Sequence, residues 1–160
     1  MERVTRTLGL VAVAGVLAVL TVRPAVAQEG EGWNTLEPVY NVTTIKIHPN
    51  MGEMYLQNLK RTWVTGVEAA IEEGITEDYW VFSSLTPNDG GYNLMIVTKH
   101  PNLAALDATD AWRERIARID ARVQETLSEA ESDEITGNVY PNIRTITSEK
   151  MMREIDFTEN

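Results

Sequence analysis

Residues 40–63 read YNVTTIKIHPNMGEMYLQNLKRTW, and the change of rhythm inside them sets the fold. Residues 40–48 are β-branched and alternating, the pattern of a strand. Pro49 ends that strand because it has no N–H to give a ladder. From residue 51 to 73 the apolar side chains return at helical spacing instead: Leu56, Leu59, Trp63, Val67, Ala70 and Ile71 share one face. Asn50 and Glu53 are spaced as a capping pair for that helix, and Gly74 is its stop.

Residues 78–85 (DYWVFSSL) and 92–99 (YNLMIVTK) are two further strands. TPNDGG at 86–91 is concentrated turn chemistry, so these strands make a hairpin. After Asn102 a second helical face follows, with Trp112, Ile116, Ile119, Val123 and Leu127 in register and Glu114 four residues before Arg118 on the outside. Residues 133–138 turn the chain into a fourth strand, YPNIRTIT at 140–147, with a continuation through Met151 to Phe157. The order β-α-β-β-α-β predicts an α+β, ferredoxin-like domain with an antiparallel sheet. Upstream, residues 28–38 (QEGEGWNTLEP) contain two Gly, a Pro and three Glu. Residues 28–39 are therefore expected to be a flexible lead-in, with Trp33 docking onto a single domain at 40–160.

The start of the chain gives an address. Arg3 and Arg6 precede a 16-residue uncharged run from Thr7 to Val22, and Ala25-Val26-Ala27 is an A-x-A cleavage site before Gln28. The run is short for a membrane span, which needs roughly 20 apolar residues, and Arg23-Pro24 stops it. Residues 1–27 are expected to be a signal peptide cleaved after Ala27, leaving a periplasmic or secreted protein with no stable membrane span. Removing Arg3, Arg6, Arg23 and Glu2 from the chain's 14 basic and 24 acidic side chains leaves 11 and 23, a formal charge of −12. Such a charge argues against nucleic acid and anionic membrane surfaces, which need a basic face. A 43% hydrophobic content with 4 Trp is too apolar for disorder. With 0 Cys, disulfides, zinc–thiolate sites and thiol catalysis are excluded.

His48-Pro49-Asn50 recurs 52 residues later as His100-Pro101-Asn102. In each copy the proline ends a strand and the asparagine caps a helix. With strands one and three taken as parallel neighbours in equal register, His48 and His100 would lie side by side, and Lys46 and Thr98 one step back. Paired imidazoles can share a proton or orient an oxyanion; the same two residues equally fit strand ends that face water or cap carbonyls. No carboxylate stands at fixed spacing with either, so no metal is expected. Trp80, Phe82 and Arg144 are further candidates to clasp an aromatic or anionic ligand, or are ordinary packing and surface residues. Strands two and three are apolar on both faces, at Tyr79 to Phe82 and Leu94 to Val97. Two helices cover one face only, which implies a second copy of the chain on the other.

The stretch 40–106, with VTTIKIHPNMGEMYLQNLKRTW, the hairpin and TKHPNLAALDA, resembles the dimeric α/β-barrel superfamily. Antibiotic-biosynthesis-type monooxygenases, NIPSNAP-like and EthD-like proteins belong to it. The resemblance implies ferredoxin-like units that pair their sheets into a barrel enclosing a ligand cavity. It implies no shared catalytic motif, and fold alone does not fix function. No Gly-rich phosphate loop, G-x-S-x-G or H-E-x-x-H motif occurs in the chain.

Three functions are expected on this basis. The first is an exported homodimer that binds a small apolar or aromatic ligand without a cofactor, using Lys46, His48, Trp80, Phe82, Thr98, His100 and Arg144. The second is a cofactor-independent oxygenase-like or isomerase-like enzyme on the same scaffold, with His48 and His100 as catalytic candidates. The third is an accessory subunit of an envelope assembly.

Overall fold

The computed structural model describes residues 32–86 and 91–157. Strands β1 (Asn34–Ile47), β2 (Asp78–Ser83), β3 (Leu94–His100) and β4 (Arg144–Asp156) form one sheet in the order β2-β3-β1-β4. Every neighbouring pair is antiparallel. Helices α1 (Gly52–Leu59) and α2 (Thr65–Glu72) connect β1 to β2, and α3 (Asp110–Gln124), α4 (Glu129–Glu134) and α5 (Tyr140–Ile143) connect β3 to β4. This is the expected α+β, ferredoxin-like arrangement. The signal-peptide expectation at 1–27, the start of the lead-in and most of the turn at 86–91 lie outside the described residues.

The helices pack on one face of the sheet. Ile45, Ile47, Leu94 and Ile96 meet Tyr55, Leu59, Leu127, Ile135, Tyr140 and Ile143 in the main core. Each such side chain contributes roughly 1.5–3 kcal/mol by leaving water. A second cluster of Ala69, Ile75 and Ile119 joins α2 to α3, with Trp112 and Ile116 against it. The apolar stripe expected on the second helix is therefore the one that packs.

Several boundaries differ from the sequence reading. β1 starts at Asn34, so residues 34–39 belong to the sheet and not to a flexible lead-in: Val39 is 2% exposed, and Asn34 and Thr35 pair with Asp156 and Ile155. Pro38 falls where the β1–β4 register shifts between Thr35 and Val39, a place where a missing N–H is tolerated. The strand continues because β4 is long enough to partner it.

Asn50 does not cap the first helix. It has φ +64, and Met51 stands at the N-cap with no side-chain bond. His-Pro-Asn-Met with an N–H from Met51 to the His48 carbonyl at 3.1 Å has the features of a type II turn, whose third position needs positive φ. Between α1 and α2 the helix widens into a π turn, Lys60–Val64. The side chains that face the core run Tyr55, Leu59, Thr62, Gly66 and Ala69, so Leu59 packs as expected while Tyr55 is fully buried in place of Leu56, which is 47% exposed. Gly74 does end the helix, with φ +70.

Arg118 does not pair with Glu114. Its guanidinium donates twice to Glu73 at the end of the first helix, at 2.8 and 2.6 Å. Residues 133–138 do not turn the chain either. α4, a π turn (Ile135–Val139) and α5 run on without a break from a Ser128–Glu131 capping box, so β4 begins at Arg144 and not at Tyr140.

Candidate functional site

The antiparallel register overturns the pairing of the two histidines. β3 lies between β1 and β2 and runs against both, because the helical crossover brings β2 back parallel to β1 and a hairpin then reverses the chain into β3. His100 pairs with Val39, nine positions before His48. At about 3.3 Å per residue the two imidazoles stand at opposite ends of the sheet, on the order of 30 Å apart. Lys46 pairs with Thr145 and Thr98 with Asn41, so these two separate in the same way. The sequence candidates therefore fall into three places.

At one end, His100 is buried. Its Nδ1 lies 2.9 Å from the Ile75 carbonyl and its Nε2 3.1 Å from the Thr98 hydroxyl. Nδ1–H donates to the carbonyl and Nε2 faces the Thr98 hydroxyl, so both ring nitrogens are engaged. His100 ties the loop after α2 to β3.

At the other end stand Lys46, His48 and Arg144. His48 is half-buried, with Nδ1 3.1 Å from the Asn142 carbonyl and Nε2 3.4 Å from the Thr145 hydroxyl. Arg144 turns toward the helices. Its Nη1 donates to the Tyr55 hydroxyl at 2.8 Å, and its guanidinium carbon lies 4.1 Å from the Tyr140 ring centre and 5.4 Å from that of Tyr55. Tyr140 bonds Thr62 at 2.7 Å, and Thr62 donates to the Asn58 carbonyl, so the phenol is the donor to Thr62. Burial raises both phenols above their ordinary pKa, against the opposing pull of Arg144. Tyr55, Thr62 and Tyr140 escaped the sequence reading. Tyr55 lies one position off the expected stripe, and Tyr140 was expected to begin a strand.

Trp80 and Phe82 lie on the face of the sheet away from the helices. Directly opposed residues share a face. Trp80, Val97 and Val42 form one row, and Phe82, Met95 and Thr44 the next. The Tyr40 and Trp80 rings are 6.4 Å apart, and Val97 beside them is only 8% exposed. Phe82 and Met152, at 48% and 51%, are open. A charged rim closes one end: Lys99 pairs with Glu77 at 2.7 Å, and Tyr40 donates to Glu154 at 2.9 Å. That bond to Glu154, with burial, holds the Tyr40 phenol above its ordinary pKa. The core clusters place the helices' apolar side chains on the opposite face. Both faces of the sheet are apolar, as the strand sequences require. Among the described residues no group of three or more His, Asp or Glu is placed to hold a metal ion, and no helix is long and apolar enough to cross a membrane.

No protein-family model and no curated protein matches the chain. In structure it is similar to a protein of Shewanella oneidensis at 14% identity and TM-score 0.45, over 77% of this chain and 97% of that one. It is also similar to a NIPSNAP-family protein of unknown function from Agrobacterium tumefaciens, at 16% identity and TM-score 0.44, over 83% and 97%. A dimeric ferredoxin-like protein of unknown function from Thermobifida fusca matches at 13% and TM-score 0.33, over 74% and 91%. These are likenesses to ferredoxin-like and NIPSNAP proteins, and they say nothing of what this chain binds or does.

Proposed function

We propose that this chain is an exported homodimer that pairs the open faces of two sheets and holds a small apolar or aromatic ligand between them. The observation that carries the reading is the face itself: Tyr40, Val42, Trp80, Phe82, Met95 and Val97 form a contiguous apolar surface on the side opposite the helices. Contiguous apolar surface of this kind marks an interaction site. A second copy suits it, because two sheets stack face to face at about 10 Å and interdigitate such side chains. The β1–β4 ribbon supports the same partner. Residues 34–38 extend past the end of β3, where among the described residues β4 is their strand partner, and Ile155 and Phe157 there are exposed. A two-stranded ribbon is marginal by itself and gains by lying on a neighbour.

Trp80 and Phe82, whose rings offer flat apolar contact, support an apolar or aromatic ligand in this proposal. Catalysis by a histidine pair has no support, since the two imidazoles belong to opposite ends of the sheet. Export with cleavage after Ala27 to the periplasm or the exterior belongs to this proposal and rests on the leader pattern.

The test is native mass spectrometry of the protein expressed from its full sequence in an exporting host. The expected species is a dimer of chains beginning at Gln28 and carrying extra low-molecular mass. A monomer at micromolar concentration would overturn the pairing of sheets. Retention of residues 1–27 would overturn the processing, and a dimer without added mass would overturn the bound ligand.

A further inference from the structure

β4 is an outer strand of the sheet, and among the described residues no strand lies along its other side. Such an edge leaves a row of N–H and C=O groups open to a further strand, and proteins blunt it with proline, bulges or brevity. β4 is 13 residues long and has no proline. Its register shifts against β1 fall on either side of a regular stretch from Ser148 to Arg153. The helices leave that stretch open as well. Glu149, Met151 and Arg153 oppose Thr43, Asn41 and Val39, which share a face with the core residue Ile45, so all three point to the helix side. Met151 is nonetheless 47% exposed there.

The order of charges along the strand selects what fits. In Glu149-Lys150-Met151-Met152-Arg153 the acid and the arginine stand symmetrically about Met151. A copy laid antiparallel, Met151 against Met151, sets Glu149 opposite the partner's Arg153 and Arg153 opposite the partner's Glu149. A two-fold axis makes each contact twice. Among the described residues Arg153 has no ion pair or hydrogen bond in its own chain, and Glu149 has one long bond, from Asn41 at 3.4 Å. Other registers that keep the faces matched fit less well. One sets Lys150 against Lys150. The next sets Arg153 against Met151 and Glu149 against Ile155, and its ion pair uses Glu154, which already accepts from Tyr40. We propose that the outer edge of β4 docks the same edge of a second copy, antiparallel about Met151, with Glu149 and Arg153 paired across the seam. Opposite charges directly across two strands stabilise the pair, and like charges there oppose it. This contact stands whether or not the open faces of two sheets meet.

The chain has 0 Cys, so single cysteines report the register. The exported protein carrying Phe82→Glu, which removes the face-to-face contact, receives Met151→Cys, Met152→Cys or Ile155→Cys in turn, at positions of similar exposure. Under mild oxidation in concentrated solution, Met151→Cys is expected to form disulfide dimers, because opposed residues of antiparallel strands bring their Cα atoms to about 4.5–5.5 Å. Ile155 would stand on the order of 25 Å from its own copy and should stay uncrosslinked. Adding Arg153→Glu to Met151→Cys is expected to slow crosslinking about tenfold or more, since like charges then face each other. Adding Glu149→Arg as well should restore it. Equal crosslinking at 151 and 155, or none at 151, would overturn the edge contact. Faster crosslinking at 152 than at 151 would overturn the register. Charge reversal without effect, or without rescue by the double reversal, would overturn the pairing of Glu149 with Arg153. Because the Phe82→Glu background has no face-to-face contact, these outcomes count for or against the edge alone. If that background fails to fold, the same loss and rescue are read in the parent.

Discussion

Tyr140 passes a proton to Thr62, and Thr62 passes its own to the Asn58 carbonyl, so the two hydroxyls are not equivalent. Thr62→Val removes the acceptor of a buried phenol and is expected to cost about 1–3 kcal/mol, whereas Tyr140→Phe leaves Thr62 bonded to Asn58 and costs about 1 kcal/mol. Urea unfolding of the two variants measures the asymmetry; equal losses would contradict the direction of the chain. Two carboxyls give opposite pH effects. The hydrogen bond from Arg118 holds Glu73 below the ordinary carboxylate range, so its contribution is present above the unfolded pKa and is lost as pH falls through the folded one. Burial raises Asp120, so its effect has the other sign: folding is favoured below the unfolded pKa, and the gain disappears as pH rises through the folded one. In urea midpoints measured against pH, Glu73→Gln is expected to flatten the acid loss and Asp120→Asn to raise stability at pH 7. None of these partners was legible in the sequence. Arg118 reaches across 45 positions, where the helical spacing pointed to Glu114.

At the scale of elements, local patterns specified strands and helices well and their ends less well. The alternation in YNVTTIKIH and the stripe Ile119, Val123, Leu127 are properties of a few neighbouring residues, and both appear as read. The π turn is not such a property. Lys60–Val64 take the wider π spacing, and the core-facing stripe passes through them as Tyr55, Leu59, Thr62, Gly66 and Ala69, so that Tyr55 and not Leu56 enters the core. Deleting Lys60 is expected to rotate Tyr55 and Leu59 off the core and to cost at least about 3 kcal/mol, read from the urea midpoint and from loss of near-ultraviolet dichroism. An unchanged midpoint would show that the helix does not need the wide turn. The repeated His-Pro-Asn makes the same point. Asn102 caps, accepting from the Ala105 N–H at 3.0 Å, while Asn50 takes a left-handed conformation inside a turn. The two asparagines lead into different segments, Met51-Gly52 in one case and Leu103-Ala104 in the other, and that context decides.

At the scale of the molecule, the open face is the largest consequence of the fold. Phe82 is exposed within one chain, so Phe82→Glu is expected to leave the chain folded, within about 0.5 kcal/mol, while placing a charge in the proposed sheet–sheet interface. Sedimentation should show a shift from dimer to monomer, and the parent's Tm should rise with protein concentration while the variant's does not. A variant that sediments as the parent does would place the interface elsewhere.

Composition, periodicity and turn chemistry act over a few residues, and they were enough for the element order, the ferredoxin-like class with its antiparallel sheet and the doubly apolar strands. The register, and with it which side chains meet, came from the folded chain alone. Local alternation is compatible with many registers, and only the sheet with β3 hydrogen-bonded antiparallel between β1 and β2 selects one. That selection sends His48 and His100 to opposite ends and, with the first helix and the long run from Glu129 to Ile143 packed on the sheet, brings Tyr55, Tyr140 and Arg144 together.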